Sequence, residues 1–461
     1  MTTVVKRKAS GQKTNIQSVA HLMRRAAFGA PAWRLEELAR KPYEEIVEDL
    51  LAVEKRPRLD EDLLERFHQE HADEESHHWP AKRWFYRMIN SPRPLEEKMA
   101  LLWHNRFATA ASKVTNARMM NVHLEMLRDH GLGNFRTLLL NLSHNPAMIW
   151  WLDQQTNHGD AVNENYGREL LELFAMGRGN YTEDDVRSAA RAFSGWTIDQ
   201  TIPRYPNGWY DTNFVYQEDD HDHGMKTFLG EKGDFNGDEI AGIVAKQPAT
   251  ARFVASNLHR FFVSDTPDQA AVDTLASAYF DSGFEIRAML RVLFNSDFFK
   301  QSQFKRVRWP VEVIVGTVML TGEHTDPYDF GLHRLDEAAS VMGQEILNPP
   351  TVEGWHTGRE WIDSGLLIER VNFAADRLGN TDAPGIAKMI GRIRGTLASV
   401  EPEALVDACQ YEMGCVEVSQ KSRETIVKEL GAGPVKVDAG FPEKVAYVMQ
   451  LIGSSREYQR G

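Results

Sequence analysis

The sequence predicts a mainly α protein, a multi-helical orthogonal assembly with a long irregular or short-hairpin insertion near residues 197–238. Two observations predict it. Apolar residues recur at helical spacing along most of the chain. That spacing fails over one long stretch, from Thr197 to Asp238, where Gly, Pro, Asp and Asn crowd together.

The elements follow in order. "NIQSVAHLMRRAAFG" (Asn15 to Gly29) has one apolar face and ends on glycine, a common helix stop. "KPYEEIVEDLLAVEK" sets Pro42 at the first helical position, with acids after it where the helix dipole favours them. "SPRPLEEKMALLWHNRFATA" repeats that form, with Pro94 near the start and Glu96 and Glu97 in the first turn. Further helices are predicted through "VHLEMLRDHG", "FRTLLLNLSHNPAMIWWLD" and "NENYGRELLELFAMGRG". The 197–238 insertion is rich in aromatic residues (Trp196, Tyr205, Trp209, Tyr210, Phe214, Tyr216), which predicts an ordered segment with one hairpin. Helical spacing resumes at "DEIAGIVAKQPATARFVASNLHRFFV" and continues through "FEIRAMLRVLFNSDFFK" and "RWPVEVIVGTVMLTG". A second irregular segment, "GQEILNPPTVEGWHTGREWIDSG", precedes helices to the end. The expected organisation is an N-terminal tail (1–17), a helical core domain (18–379) and a C-terminal helical extension packing on it (380–461).

Composition narrows the functional classes. The 461 residues are 42% hydrophobic and 26% charged, as in ordinary globular proteins. A net charge of −13 speaks against a nucleic-acid backbone as main partner, which needs a basic surface. No stretch approaches the roughly 18 apolar residues of a membrane span. The opening "MTTVVKRKASGQKTNIQ" has no apolar region behind its basic residues, and only Cys409 and Cys415 occur. Both features predict a cytoplasmic protein without a secretory signal.

The segment from Asn163 to Glu172 raises the functional question. At about 100° per residue, Glu164, Arg168 and Glu172 fall within about 80° of one another, with Asn165 and Glu169 alongside. A ladder of opposite charges worth a few tenths of a kcal/mol per pair is one reading. The wall of a polar pocket is the other, its second side being loop 218–226.

Three chemistries are open. In "EDDHDH" (218–223) an extended backbone would put His221 and His223 on one face, as metal ligands often are. A divalent metal would then be held by His104, Glu169, Glu172 and His221, with Asp222 beside it. Imidazole with carboxylate suits Zn, Mn or Fe better than Ca, and such a metal activates water or polarises a phosphoryl or carbonyl oxygen. The alternative is a solvated acidic loop. Secondly, Arg24, Arg25, Arg168 and Lys226 would converge on the phosphate, sulfate or carboxylate of a small anionic substrate. Otherwise each Arg pairs with an acid. Thirdly, the polar motifs are buried networks of a non-enzymatic helical scaffold that docks a partner. "GDFNGDE" reads as a turn capped by Asp238, and His68, His71, His77 and His78 as a solvated helix end or loop. No Walker-type loop, Gly-x-Ser-x-Gly elbow or catalytic-cysteine signature is present.

Six blocks, "HLMRRAAFGAP", "EKMALLWHNRFATA", "NENYGRELLELFAMGRGNYTEDDVRSAARAFSGW", "HDHGMKTFLG", "QPATARFVASNLHRFFV" and "NPPTVEGWHTGREWI", carry a resemblance. In that order they resemble a large bacterial family of uncharacterised proteins, the domain-of-unknown-function family numbered eighteen hundred. The resemblance runs from about residue 18 onward and implies that the residues at its polar positions matter. Those are Arg24, Arg25, His104, Asn163, Glu164, Arg168, Glu169, Glu172, His221, Asp222 and Lys226; position 223 varies in the family. Many members resemble exported proteins encoded beside a sulfatase-like partner, which the resemblance implies here too, although this sequence shows no signal. The leading expectation is a divalent-metal-dependent enzyme acting on an anionic substrate by hydrolytic or phosphoryl or sulfuryl chemistry. Its catalytic residues are Asp222, Lys226 and Arg168, and its substrate-binding residues Arg24, Arg25, Asn163 and Glu164. The scaffold is the alternative.

Overall fold

Helix Pro94–Arg106 is buried along its whole middle, from Leu95 to Asn105, and Pro310–Thr321 is buried nearly as completely. Helices without a solvated face belong at the centre of a fold, and these two form the spine around which the others pack. The computed structural model describes residues 14–67, 78–199, 212–328 and 330–461. Among these the protein is mainly α, with strands confined to three two-stranded antiparallel pairs.

Helix starts follow the local chemistry. Asn15, Asn116, Asn134 and Asn145 each accept a backbone N–H in the first turn, and Thr182 forms a capping box with Asp185. Pro94, Pro146, Pro248 and Pro310 open helices where a missing N–H costs nothing. The cap expected at Asp238 falls instead on Asn236. Its side chain accepts from Gly237 N at 2.6 Å, and Glu239 returns a bond to its backbone N–H at 3.0 Å.

The insertion holds two antiparallel pairs where one hairpin was expected. Trp196–Ile198 pairs with Phe214–Tyr216, and Lys226–Phe228 with Glu231–Gly233. Tyr205, Trp209 and Tyr210 lie outside the described residues, as do the N-terminal residues 1–13 and His68, His71 and His77.

The spine divides two buried clusters. Val311, Ile314, Val315 and Val318 face the larger one, whereas Val313 and Leu320 face a second built from Leu378, Leu405, Met449 and their neighbours. Across the spine runs a buried ion cluster. Lys98 Nζ and the Arg306 guanidinium both donate to Glu312, whose Oε2 also accepts the Trp309 N–H at 2.7 Å. Cys409 and Cys415 are buried free thiols. No helix among the described residues is long and apolar enough to cross a membrane.

Candidate functional site

The helix that raised the functional question is regular only over Asn165–Glu169; Leu170–Ala175 is a π-helix. Arg168 bonds Glu164 at 3.2 Å, one rung of the expected ladder, and then turns to Glu183 at 2.7 Å. The wider π turn carries Glu172 away from Arg168. Glu172 instead accepts from Arg178 at 2.5 Å and from the Tyr181 hydroxyl at 2.7 Å. The Tyr181 bond, with Arg178 second, holds its carboxyl below the ordinary range. Burial and then the nearby Glu172 push Glu169 the other way. Asn163 serves the preceding turn, donating to Thr156 Oγ1 at 2.9 Å and accepting from Asn165 N at 3.0 Å.

The remaining expected residues are spread through the fold. Arg24 donates to the Gly414 carbonyl at 2.9 Å. Buried Arg25 reaches the carbonyls of Gly461, Val263 and Ser302. His104 Nε2 accepts the Leu347 N–H at 3.1 Å, and burial, then His123, keeps its imidazole neutral. Loop 221–226 is locked by its own polar groups. His221 Nδ1 donates to the Ser194 carbonyl at 3.0 Å. Asp222 receives Arg191 through both oxygens, at 2.5 and 3.0 Å, and Gly224 N at 2.7 Å. The Arg191 bonds are the main reason its carboxyl falls to about 2. Lys226 is buried against the carbonyls of Asp222 and Gly224 and against Asp234. These cations therefore do not face a common anion, and His104, Glu169 and Glu172 do not stand with His221. Among the described residues one group could hold a metal, His221 with His223 and Asp234.

A different cleft gathers chemistry. It encloses about 550 Å³, within the usual range for small-molecule sites, and one wall is the end of the π-helix, through Leu173 and Arg178. Opposite lies the irregular segment 353–357, not loop 218–226. Arg106, from the last turn of the spine helix, and Arg260, from helix Pro248–Phe262, enter side by side. Neither makes a hydrogen bond or ion pair with another described residue. Burial, then the like charge of Arg260, lowers Arg106 to about 10, against the opposing pull of Glu353. Asp265, Glu353 and Glu360 share the lining, yet both guanidiniums keep donors free for a further oxyanion.

Backbone stitching fixes the opposite wall. Asn105 Oδ1 accepts the Trp355 N–H at 2.8 Å, and Gly354 passes so close that a Cβ there would stand 2.1 Å from the Asn105 carbonyl oxygen. Its φ of +86° is likewise suited to glycine. Buried Trp355 meets the His104 ring edge-on at 5.3 Å, so His104 supports the wall without entering the cleft. Trp309 and Phe261, in edge contact at 4.7 Å, supply the apolar floor. His356 Nδ1 lies 3.2 Å from Glu360, an exposed acid–base pair at the rim. The Glu172–Arg178–Glu353 chain, with Arg178 reaching Glu353 at 3.1 Å, links the π-helix to this wall.

Sequence reasoning did not single out Arg106, Arg260, Arg178, Glu353 or Trp355. Each stands alone in its segment, so no spacing announces it. A signal was nonetheless present: four of the six resembling blocks contribute lining residues to this one cleft.

Fold and cleft together define a mainly helical protein with a preformed, polar, arginine-bearing cavity between its central helix and two irregular walls. The chain belongs to the family described as "Protein of unknown function (DUF1800)", whose profile matches residues 21–460. No curated protein and no solved structure matches it.

Proposed function

We propose that this protein takes a small anionic molecule in the Arg106–Arg260 cleft, a carboxylate, phosphate ester or sulfate ester with a flat or apolar portion. The adjacent guanidiniums carry this reading, because arginine forks suit oxyanions and neither is hydrogen-bonded to the cleft's own carboxylates, Asp265, Glu353 and Glu360. Trp309, Trp355 and Phe261 offer the surface for the apolar portion. In an enzyme built on this cleft, His356 is the group placed for proton transfer, oriented by Glu360.

Thermal unfolding with citrate, phosphate or sulfate, against chloride at equal ionic strength, tests the reading. Wild type is expected to gain stability saturably, and Arg106→Gln and Arg260→Gln to lose that gain. Without anion, Arg106→Gln should be as stable as wild type or more so, since it removes a like-charge contact. Equal anion shifts in wild type and both variants would mean general salting effects and sink the reading.

The scaffold reading has its own support. Asn163, Glu164, Arg168, Asp222, Lys226, Arg24 and Arg25 are all engaged in bonds to other parts of the fold. On it, the cleft would accept an acidic side chain or terminal carboxylate of a protein partner. A peptide carrying such a group would then stabilise the protein where the small anions do not.

A further inference from the structure

Loop 218–224 and the hairpin that follows it present two imidazoles and a carboxylate to one point. One nitrogen on His221, one on His223 and a carboxylate oxygen of Asp234 all lie within 4.8 Å of one another. The imidazole rings are 4.9 Å apart, and His223 Nδ1 stands 3.9 Å from Asp234 Oδ2. Each ring also has its other nitrogen on a main-chain carbonyl. His221 Nδ1 uses Ser194 O at 3.0 Å, and His223 Nε2 uses Glu218 O at 3.4 Å. Metal-binding histidines are oriented in this way, because the carbonyl fixes the tautomer and leaves the second nitrogen's lone pair free.

We infer that His221 Nε2, His223 Nδ1 and Asp234 Oδ2 form a three-ligand site for a borderline divalent transition metal, with Zn²⁺ the leading ion and a fourth position open to water. Imidazole-rich donor sets with one carboxylate select such ions over Ca²⁺ or Mg²⁺. In tetrahedral coordination the ligand atoms stand about 3.3 Å apart, so the site closes by a small rotation of the exposed His223 ring. His221 is held by the Ser194 carbonyl, and Asp234 follows directly on strand Glu231–Gly233. The preceding turn carries Glu218, Asp219 and Asp220, whose negative charge favours an approaching cation. Lys226 works against it. Its ammonium lies 3.2 Å from Asp234 Oδ1, so the metal takes the other oxygen and binds more weakly than in a site without that charge. Bound metal would pin the loop to the hairpin, two segments that now meet through Lys226. The site is independent of the arginine cleft, whose lining does not include it.

The test is equilibrium dialysis of chelator-treated full-length protein against Zn²⁺, with bound metal measured by elemental mass spectrometry. One Zn²⁺ per chain is expected. Affinity should fall at least about tenfold in His223→Ala, exposed enough to leave metal-free unfolding near wild type, and in Asp234→Asn, which also removes the charge partner of buried Lys226 and is expected to lower metal-free stability. A variant with His68, His71, His77 and His78 all changed to Gln should bind as wild type does. Zn²⁺ that persists in His223→Ala but vanishes in the fourfold variant would overturn the assignment. Binding at much less than one per chain would do the same.

Discussion

Glu312→Leu is expected to cost about 3–5 kcal/mol of folding stability, the usual penalty for removing one member of a buried ion cluster. Lys98 and Arg306 are as buried as Glu312 and would be left as uncompensated cations in the spine. The Trp309 N–H would lose its acceptor as well. Denaturant midpoints with unchanged slopes would measure the loss. The same cluster sets an acid limit. Burial alone would raise the Glu312 carboxyl, but Arg306 and Lys98 together hold it below the ordinary carboxylate range. Folding is therefore favoured by this group at all pH values above its unfolded pKa near 4.5. That contribution is lost progressively as pH falls below this value. Replacing Lys98, Arg306 and Glu312 together by Met, Met and Leu should recover most of the single-variant loss, since the two direct cation partners of Glu312 leave with it. Buried Arg25 and Arg370 then lose the repulsion of Arg306 along with the attraction of Glu312. A Glu312→Leu protein within about 1 kcal/mol of wild type would show that the spine tolerates the stranded cations, against this account.

Gly354→Ala is expected to dismantle the cleft wall while sparing the rest of the fold. The new methyl would need space held by the Asn105 carbonyl, at a backbone conformation that alanine disfavours. The strain is on the order of 1–3 kcal/mol, relieved by moving segment 353–357 away from the spine helix. Trp355 then loses its bond to Asn105, and Glu353 its fixed distance from Arg178. Hydrogen exchange should show the Trp355 amide losing protection, with Leu95–Asn105 amides unchanged. The oxyanion response should disappear with it. Retained protection at Trp355 would mean that the wall absorbs the methyl without opening.

The mainly helical fold is legible in the sequence because its signals are local: apolar spacing, and prolines or asparagine caps that act within the first turn of each helix. Even the second hairpin is a local matter, missed because "MKTFLGEKGD" offers only three residues per strand. The cleft is a different kind of object. Arg106, Arg260 and Glu353 stand in segments more than ninety residues apart, and only tertiary packing makes neighbours of them. The polar residues that look functional in sequence, Asp222 and Lys226 among them, are conspicuous because a loop without regular hydrogen bonding needs side chains to complete it. The proximity of His221 and His223 follows from their spacing, whereas Asp234 joins them only through the reversal of chain at the hairpin.

The π turn at Leu170–Ala175 has a consequence for a change of length in this segment. "RELLELFAM" would read as an uninterrupted α-helix, so the turn amounts to one residue more than regular winding needs. Losing any one residue within it would restore regular hydrogen bonding. It would also leave the stretch before it in nearly the same phase, since six residues at π winding turn the chain about as far as five at α winding. Glu164 and Arg168 would keep their bonds on the Glu183 side, and Tyr166 its buried bond with Ser143. What the extra residue alters is the turn itself, which presents Glu172 to Arg178 and Tyr181 and so ties this helix to the cleft wall.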